Sequence, residues 1–132
     1  MLTIIERALG GIKGKKVALL GLAFKADVDD LRESPAIEAA HLLVEAGAVV
    51  SAYEPFKPDF PVNGVSMTHS LPEAIKDADL VVLLVGHTQF KTLDPRSVAA
   101  QTSARIVLDT VNGWNDAAWQ DAGFTLFKLG RG

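Results

Sequence analysis

Val17-Ala18-Leu19-Leu20-Gly21-Leu22-Ala23-Phe24-Lys25 runs directly into Ala26-Asp27-Val28-Asp29-Asp30-Leu31-Arg32-Glu33-Ser34-Pro35, and this junction decides the fold. A continuously apolar run, too short to span a membrane, stops at a charged loop, and the loop feeds a Ser-Pro helix start. The order is therefore strand, loop, helix. A strand apolar at every position is buried on both faces, as in a parallel sheet covered by crossover helices. In such a sheet ligands occupy the crevice beyond the carboxyl ends of the strands, where this order presents Phe24, Lys25 and Arg32.

Working outward, the pattern repeats. Ser34 is a good N-cap and Pro35 suits the first helical position, where a missing N–H costs nothing. Ile37, Ala40, Leu43 and Val44 then form a helical stripe that stops at Gly47. Val49 to Tyr53 reads as a second strand, ended by Glu54-Pro55, and Val65 to Thr68 as a short third. Ser70 caps a helix starting at Leu71, and Leu80 to Val85 is apolar enough to be a central strand. Short helical segments through Phe90 and from Pro95 to Gln101 lead to a strand over Arg105 to Asp109. Asn112-Gly113 is a turn, Trp114 to Gln120 a helix and Phe124 to Leu129 a last strand. The expected fold is α/β: a Rossmann-like, doubly wound, mainly parallel sheet with helices on both faces and the first strand central.

Composition narrows the class. The chain has 132 residues, 48% of them hydrophobic and 22% charged, which suits one packed domain. A net charge of -3 gives no basic face for nucleic acid, so no nucleic-acid partner is expected. No apolar run reaches the roughly 18 residues of a membrane span, and no targeting segment is evident, so the expected compartment is the cytoplasm. The chain has no cysteine, which removes disulfides, thiolate metal sites and a cysteine nucleophile.

A dinucleotide fold usually places G-x-G-x-x-G after its first strand, whereas here Gly21 stands alone. The loop from Ala23 to Glu33 is also too long for the tight turn that lays a pyrophosphate on a helix N-terminus. It supplies charge instead. Lys25 can meet an anion as a point charge, and Arg32 can grip a phosphate through a bidentate fork, with Asp29 and Asp30 holding it or favouring the helix start. The same charges also suit a solvated loop, and the pattern alone leaves both readings open. Of the histidines, His87 alone lies on the ligand-binding edge, where a hydrogen-bonded turn is the common role. None has carboxylates or cysteines at ligand spacing, so no metal is expected. Trp114 and Trp119 read as packing.

Gly21-Leu22-Ala23-Phe24-Lys25 followed by Asp29-Asp30-Leu31-Arg32-Glu33-Ser34-Pro35-Ala36 resembles the signature of the C-terminal domain of the UDP-glucose/GDP-mannose dehydrogenase family. Tyr53-Glu54-Pro55, Ala78-Asp79, His87-Thr88-Gln89-Phe90-Lys91 and Val107-Leu108-Asp109 extend the likeness from about residue 14 to residue 114. The Glu54-Pro55 pair and the 87–91 segment are most similar to the UDP-N-acetylmannosamine dehydrogenase branch. The resemblance implies an NAD-dependent enzyme that oxidises the C6 hydroxyl of a nucleotide sugar to the uronic acid for polysaccharide biosynthesis. It implies substrate contact for Phe24, Lys25 and Asn112, and contact with the NAD pyrophosphate for Arg32. Many members carry a basic residue before that asparagine, where this chain has Val111.

On this resemblance residues 1–13 are the end of a linking helix and residues 14–132 the UDP-sugar-binding domain. Its partners would be a UDP-sugar and the N-terminal NAD-binding domain of the same enzyme, the parent being a homodimer or larger. Without the family's catalytic cysteine and main NAD site, the domain is expected not to catalyse alone. The alternative is a free-standing nucleotide- or CoA-binding module, or a receiver-like interaction domain. A receiver needs acidic residues after its first strand, where this chain has Gly21 to Lys25.

Overall fold

In the computed structural model, which describes residues 1–129, the elements follow the expected alternation. They are α1 (Leu2–Leu9), β1 (Lys16–Leu20), α2 (Pro35–Glu45), β2 (Val49–Tyr53), β3 (Val65–Met67), α3 (Leu71–Ile75), β4 (Leu80–Leu83), α4 (Thr88–Lys91), α5 (Pro95–Gln101), β5 (Ile106–Asp109), α6 (Asp116–Asp121) and β6 (Thr125–Lys128). The strands form one sheet in the order β3-β2-β1-β4-β5-β6, and every pairing is parallel. This is the Rossmann-like order, with β1 inside the sheet as the sequence led us to expect.

The two-sided burial of β1 is divided by the strand period. Val17 and Leu19 face one core with Ile5 of α1 and Ala36, Ala40 and Leu43 of α2. Ala18 and Leu20 face the other with Ala74 and Ile75 of α3, Val98 of α5 and Trp119 of α6. β4 is divided in the same way, Leu80 and Val82 against Val81 and Leu83. Ser34 and Ser70 cap α2 and α3, accepting from the N–H groups of Ala36 and Glu73. Among the described residues no helix is long and apolar enough to cross a membrane.

Several boundaries differ from expectation by one or two residues, three of them for identifiable reasons. β1 ends at Leu20, although the apolar run continues to Phe24, because Gly21 turns the chain at φ +93° and a Cβ there would lie 2.6 Å from Cβ of Val85. Only glycine meets both demands. β4 ends at Leu83 rather than Val85, where the N–H groups of Leu84 and Val85 both turn to the Leu20 carbonyl. The last helix begins at Asp116 rather than Trp114, since the Trp114 N–H donates to Asp109 and its indole Nε1 to the Phe90 carbonyl, leaving Asn115 as the cap.

Strand order reverses between β1 and β4, so the crevice where ligands bind in such sheets lies at their carboxyl ends. There the long loop after β1 meets the segment that joins β4 to α4.

Candidate functional site

The loop after β1 is closed at its base. Phe24 N–H donates to the Asp30 carbonyl at 2.7 Å, and the Ser34 hydroxyl donates to the Ala23 carbonyl at 3.1 Å. Leu31 folds inward and is buried, while Phe24 is 56% exposed. Apolar plug and polar clamps therefore leave the tip, with Phe24 and Lys25, standing above the sheet.

What fixes the base is Glu54, at the end of β2 and completely buried. Its Oε1 accepts the N–H groups of Leu22 and Ala23, each at 2.9 Å, and its Oε2 accepts that of Phe56 at 3.0 Å. The same Oε1 lies 2.8 Å from Nε2 of the fully buried His87. His87 Nδ1 in turn accepts the N–H of Asp27 at 2.8 Å, which assigns the ring proton to Nε2, donated to Glu54. The Asp27 carboxylate accepts the N–H and hydroxyl of Thr88 at 2.8 and 2.7 Å, so it caps α4 from across the crevice. Asp27 itself sits at φ +60°, a conformation aspartate tolerates better than most residues.

The electrostatics follow from this wiring. Burial opposes ionisation of Glu54, but hydrogen bonds from His87 and from the N–H groups of Phe56 and Leu22 outweigh it and hold the carboxyl below the ordinary glutamate range. Thr88 lowers the Asp27 carboxyl in the same manner. The relay Glu54–His87–Asp27–Thr88 thus ties the ends of β1, β2 and β4 together with every ring nitrogen and carboxylate committed. Among the described residues no cluster of His, Asp and Glu is arranged to hold a metal ion.

Above the relay opens a cleft of about 400 Å³ lined by Phe24, Lys25, Ala36, Val85, Lys91 and Val111, among others, with no carboxylate in its wall. Two of the residues singled out from sequence, Phe24 and Lys25, meet here. Arg32 does not: it lies beyond Phe24, in a second recess that Phe24 shares with Asp30 and Glu33. There Asp30 accepts from Arg32 Nε and Nη2 at 3.1 Å each, as expected for the fork, while Asp29 makes no such bond. The pairing lowers the Asp30 carboxyl and raises the Arg32 guanidinium. With the Arg32 side chain 87% exposed, this bond orients the guanidinium more than it stabilises the fold. Asn112 adjoins Val111, but it does not line the cleft, and its Oδ1 accepts from Lys128 Nζ at 2.8 Å.

Sequence reasoning missed two residues that shape the site. Glu54 stood out only as a family marker, although a lone carboxylate closing an apolar strand is a signal of a buried acceptor. Lys91 likewise stood out only as the end of the family-like 87–91 segment, since a lysine in a short helical segment usually faces solvent.

The profile of the UDP-glucose/GDP-mannose dehydrogenase family, UDP binding domain, matches residues 18–116. A UDP-N-acetyl-D-mannosamine dehydrogenase of Methanocaldococcus jannaschii is 36% identical over 98% of this chain and 29% of its own length. A UDP-glucose 6-dehydrogenase of Rhizobium meliloti is 31% identical over 97% of the chain and 30% of its own. The crystal structure of an NDP-N-acetyl-D-galactosaminuronic acid dehydrogenase from Methanosarcina mazei superposes with a TM-score of 0.85 at 28% identity, covering 98% of this chain and 27% of that one. The chain therefore spans less than a third of the length of these relatives.

Proposed function

The chain belongs to the UDP-glucose/GDP-mannose dehydrogenase family, matched over its UDP binding domain, and from that premise we propose that it is the UDP-sugar-binding domain of an NAD-dependent nucleotide-sugar 6-dehydrogenase. The observation that carries this reading is the cleft at the β1–β4 strand reversal, which offers cationic side chains and no carboxylate. A diphosphate needs positive charge on a rim free of competing acids, and Lys25 supplies it from a loop whose base is fixed. Phe24, half-exposed beside it, gives the ring of a sugar or base an apolar face.

In this reading NAD reaches the far side of Phe24, where Arg32 would hold its pyrophosphate. The residue fits the group: Asp30 takes one N–H from Nε and one from Nη2, leaving both N–H groups of Nη1 and one of Nη2 uncommitted. NAD supplies the hydride acceptor when bound; this domain's share is to position the two diphosphates on either side of one aromatic ring. Asn112, its carbonyl oxygen held by Lys128, keeps its amide nitrogen for the nucleobase. The segment before residue 14, including α1, would be the end of the helix that links to an NAD-binding domain. The parent would be a cytoplasmic homodimer or larger assembly serving polysaccharide biosynthesis.

The test is calorimetric titration of the chain with UDP, a UDP-sugar, GDP-mannose, NAD and CoA at low salt. We expect UDP and the UDP-sugar to bind and Lys25→Ala to weaken both by about tenfold or more, the worth of a charge-assisted hydrogen bond. Arg32→Ala should leave UDP binding unchanged. Tight binding of CoA with indifference to UDP would replace this reading with that of a free-standing module.

A further inference from the structure

Lys91 is the last residue of α4 and lines the same cleft as Lys25. Among the described residues neither side-chain nitrogen has a hydrogen-bond or ion-pair partner; the Asp27 carboxyl, which Lys91 helps to lower, has its oxygens already taken by Thr88. The lysine stem is also held. A Cβ on Gly113 would meet Lys91 Cγ at 3.1 Å and Cδ at 3.3 Å, and one on Gly86 would meet Lys91 Cδ at 3.6 Å. Neither glycine has the positive φ that would explain it by backbone conformation. At Gly113 the absent side chain keeps clear the strip along which the lysine runs, and Gly86 lies at ordinary contact distance beside it, so the stem is directed along the cleft wall.

We propose that Lys91 is a second anion-binding residue of this cleft, so that the site takes a group with two adjacent negative phosphates, one met by Lys25 and one by Lys91. This rests on the reading of the cleft as a nucleotide-diphosphate site. The two cations arrive from opposite sides of the strand reversal, Lys25 on the loop after β1 and Lys91 on the segment after β4. Two ammonium groups on a wall that holds no carboxylate repel one another and gain most from an anion that both can reach. The apolar Val111 beside Lys91 leaves that anion no other basic residue on the β5 side of the wall.

The experiment is titration of the full 132-residue chain with UDP, UMP and inorganic pyrophosphate at low ionic strength, for wild type, Lys91→Met, Lys91→Arg and a Lys76→Met control. Lys76 is exposed after α3, at the opposite end of the sheet. Lys91→Met should weaken UDP and pyrophosphate by about tenfold or more, the loss of one charge-assisted contact, and UMP by clearly less. Lys91→Arg should keep most of the affinity and Lys76→Met all of it, with unchanged thermal midpoints showing that the variants fold. Equal affinity of Lys91→Met and wild type for UDP overturns the inference and leaves the UDP reading standing, and equal weakening of UDP and UMP overturns it too. Pyrophosphate binding that needs Lys91, in a chain indifferent to UDP, keeps the two-lysine site and removes the uridine nucleotide. A wild-type chain that binds neither overturns both.

Discussion

Two loops at the carboxyl edge of the sheet are each tied down by a fully buried carboxylate, Glu54 and Asp109, and they differ in whose backbone the carboxylate serves. Asp109 closes β5 and accepts the N–H groups of Val111 at 3.0 Å and Trp114 at 2.9 Å, residues of its own loop. Glu54 closes β2, takes one N–H from its own loop at Phe56, and spends its other oxygen on Leu22 and Ala23, more than thirty positions upstream. It also holds His87, 33 positions downstream. The first carboxylate shapes a turn. The second joins three strand ends and so sets the height and angle at which Phe24 and Lys25 meet Lys91. Local wiring gives a stable loop, whereas wiring across the sheet gives a site whose parts come from distant segments.

The strongest way to break this contrast is Glu54→Ala. It leaves the N–H groups of Leu22, Ala23 and Phe56 and the His87 Nε2 proton without their acceptor in a sealed position. We expect a loss of about 3–5 kcal/mol in urea unfolding, as for breaking a buried charged partnership. A loss under about 1 kcal/mol would mean that water or a neighbour replaces the carboxylate, and the relay would not be what fixes the loop.

Asp109→Ala should cost less, about 2–3 kcal/mol, since two donors rather than four lose their acceptor. Hydrogen exchange sharpens the comparison: the Val111 and Trp114 amides should lose protection while those of Leu22 and Ala23 keep it. Loss at all four would show that the two loops open together.

A smaller effect is expected with acid. Glu54 is held below its ordinary range in the folded chain, so its ionised form favours folding. That contribution is complete above the ordinary glutamate range and disappears as the pH falls through the lowered folded value. Unfolding free energies of wild type and Glu54→Gln measured down this range should therefore converge. A gap that stays constant would assign the Glu54 effect to shape and hydrogen bonding rather than charge.

Lys128→Met is the mildest change. It removes the bond to Asn112 and the 3.0 Å ion pair with Asp116, which is partly exposed. About 0.5–1 kcal/mol is expected by thermal unfolding, in line with pairs near the surface. Unchanged UDP affinity in this variant would place Asn112 outside the site, and a weakened one would bring the β5 loop into it.

The sequence by itself determined whatever is decided within about one turn of chain. The apolar period of Val17 to Leu20 made a strand buried on both faces, Ser34-Pro35 and Ser70 started helices, and the signature from Gly21 to Ala36 marked the family. Asp109 followed by a short polar turn is of the same kind, because its partners lie two and five residues on. Tertiary structure alone decided the rest. The order β3-β2-β1-β4-β5-β6 depends on which strands find one another, and the late start of α6 depends on Trp114 reaching the Phe90 carbonyl 24 residues away. Asp27 meets His87 and Thr88 across 60 and 61 residues, and the Lys91 stem runs over Gly113 of the loop after β5. A residue's pattern along the chain records what its near neighbours can form, while a buried acceptor or an unpaired cation acquires its role only from groups that the folded sheet brings beside it.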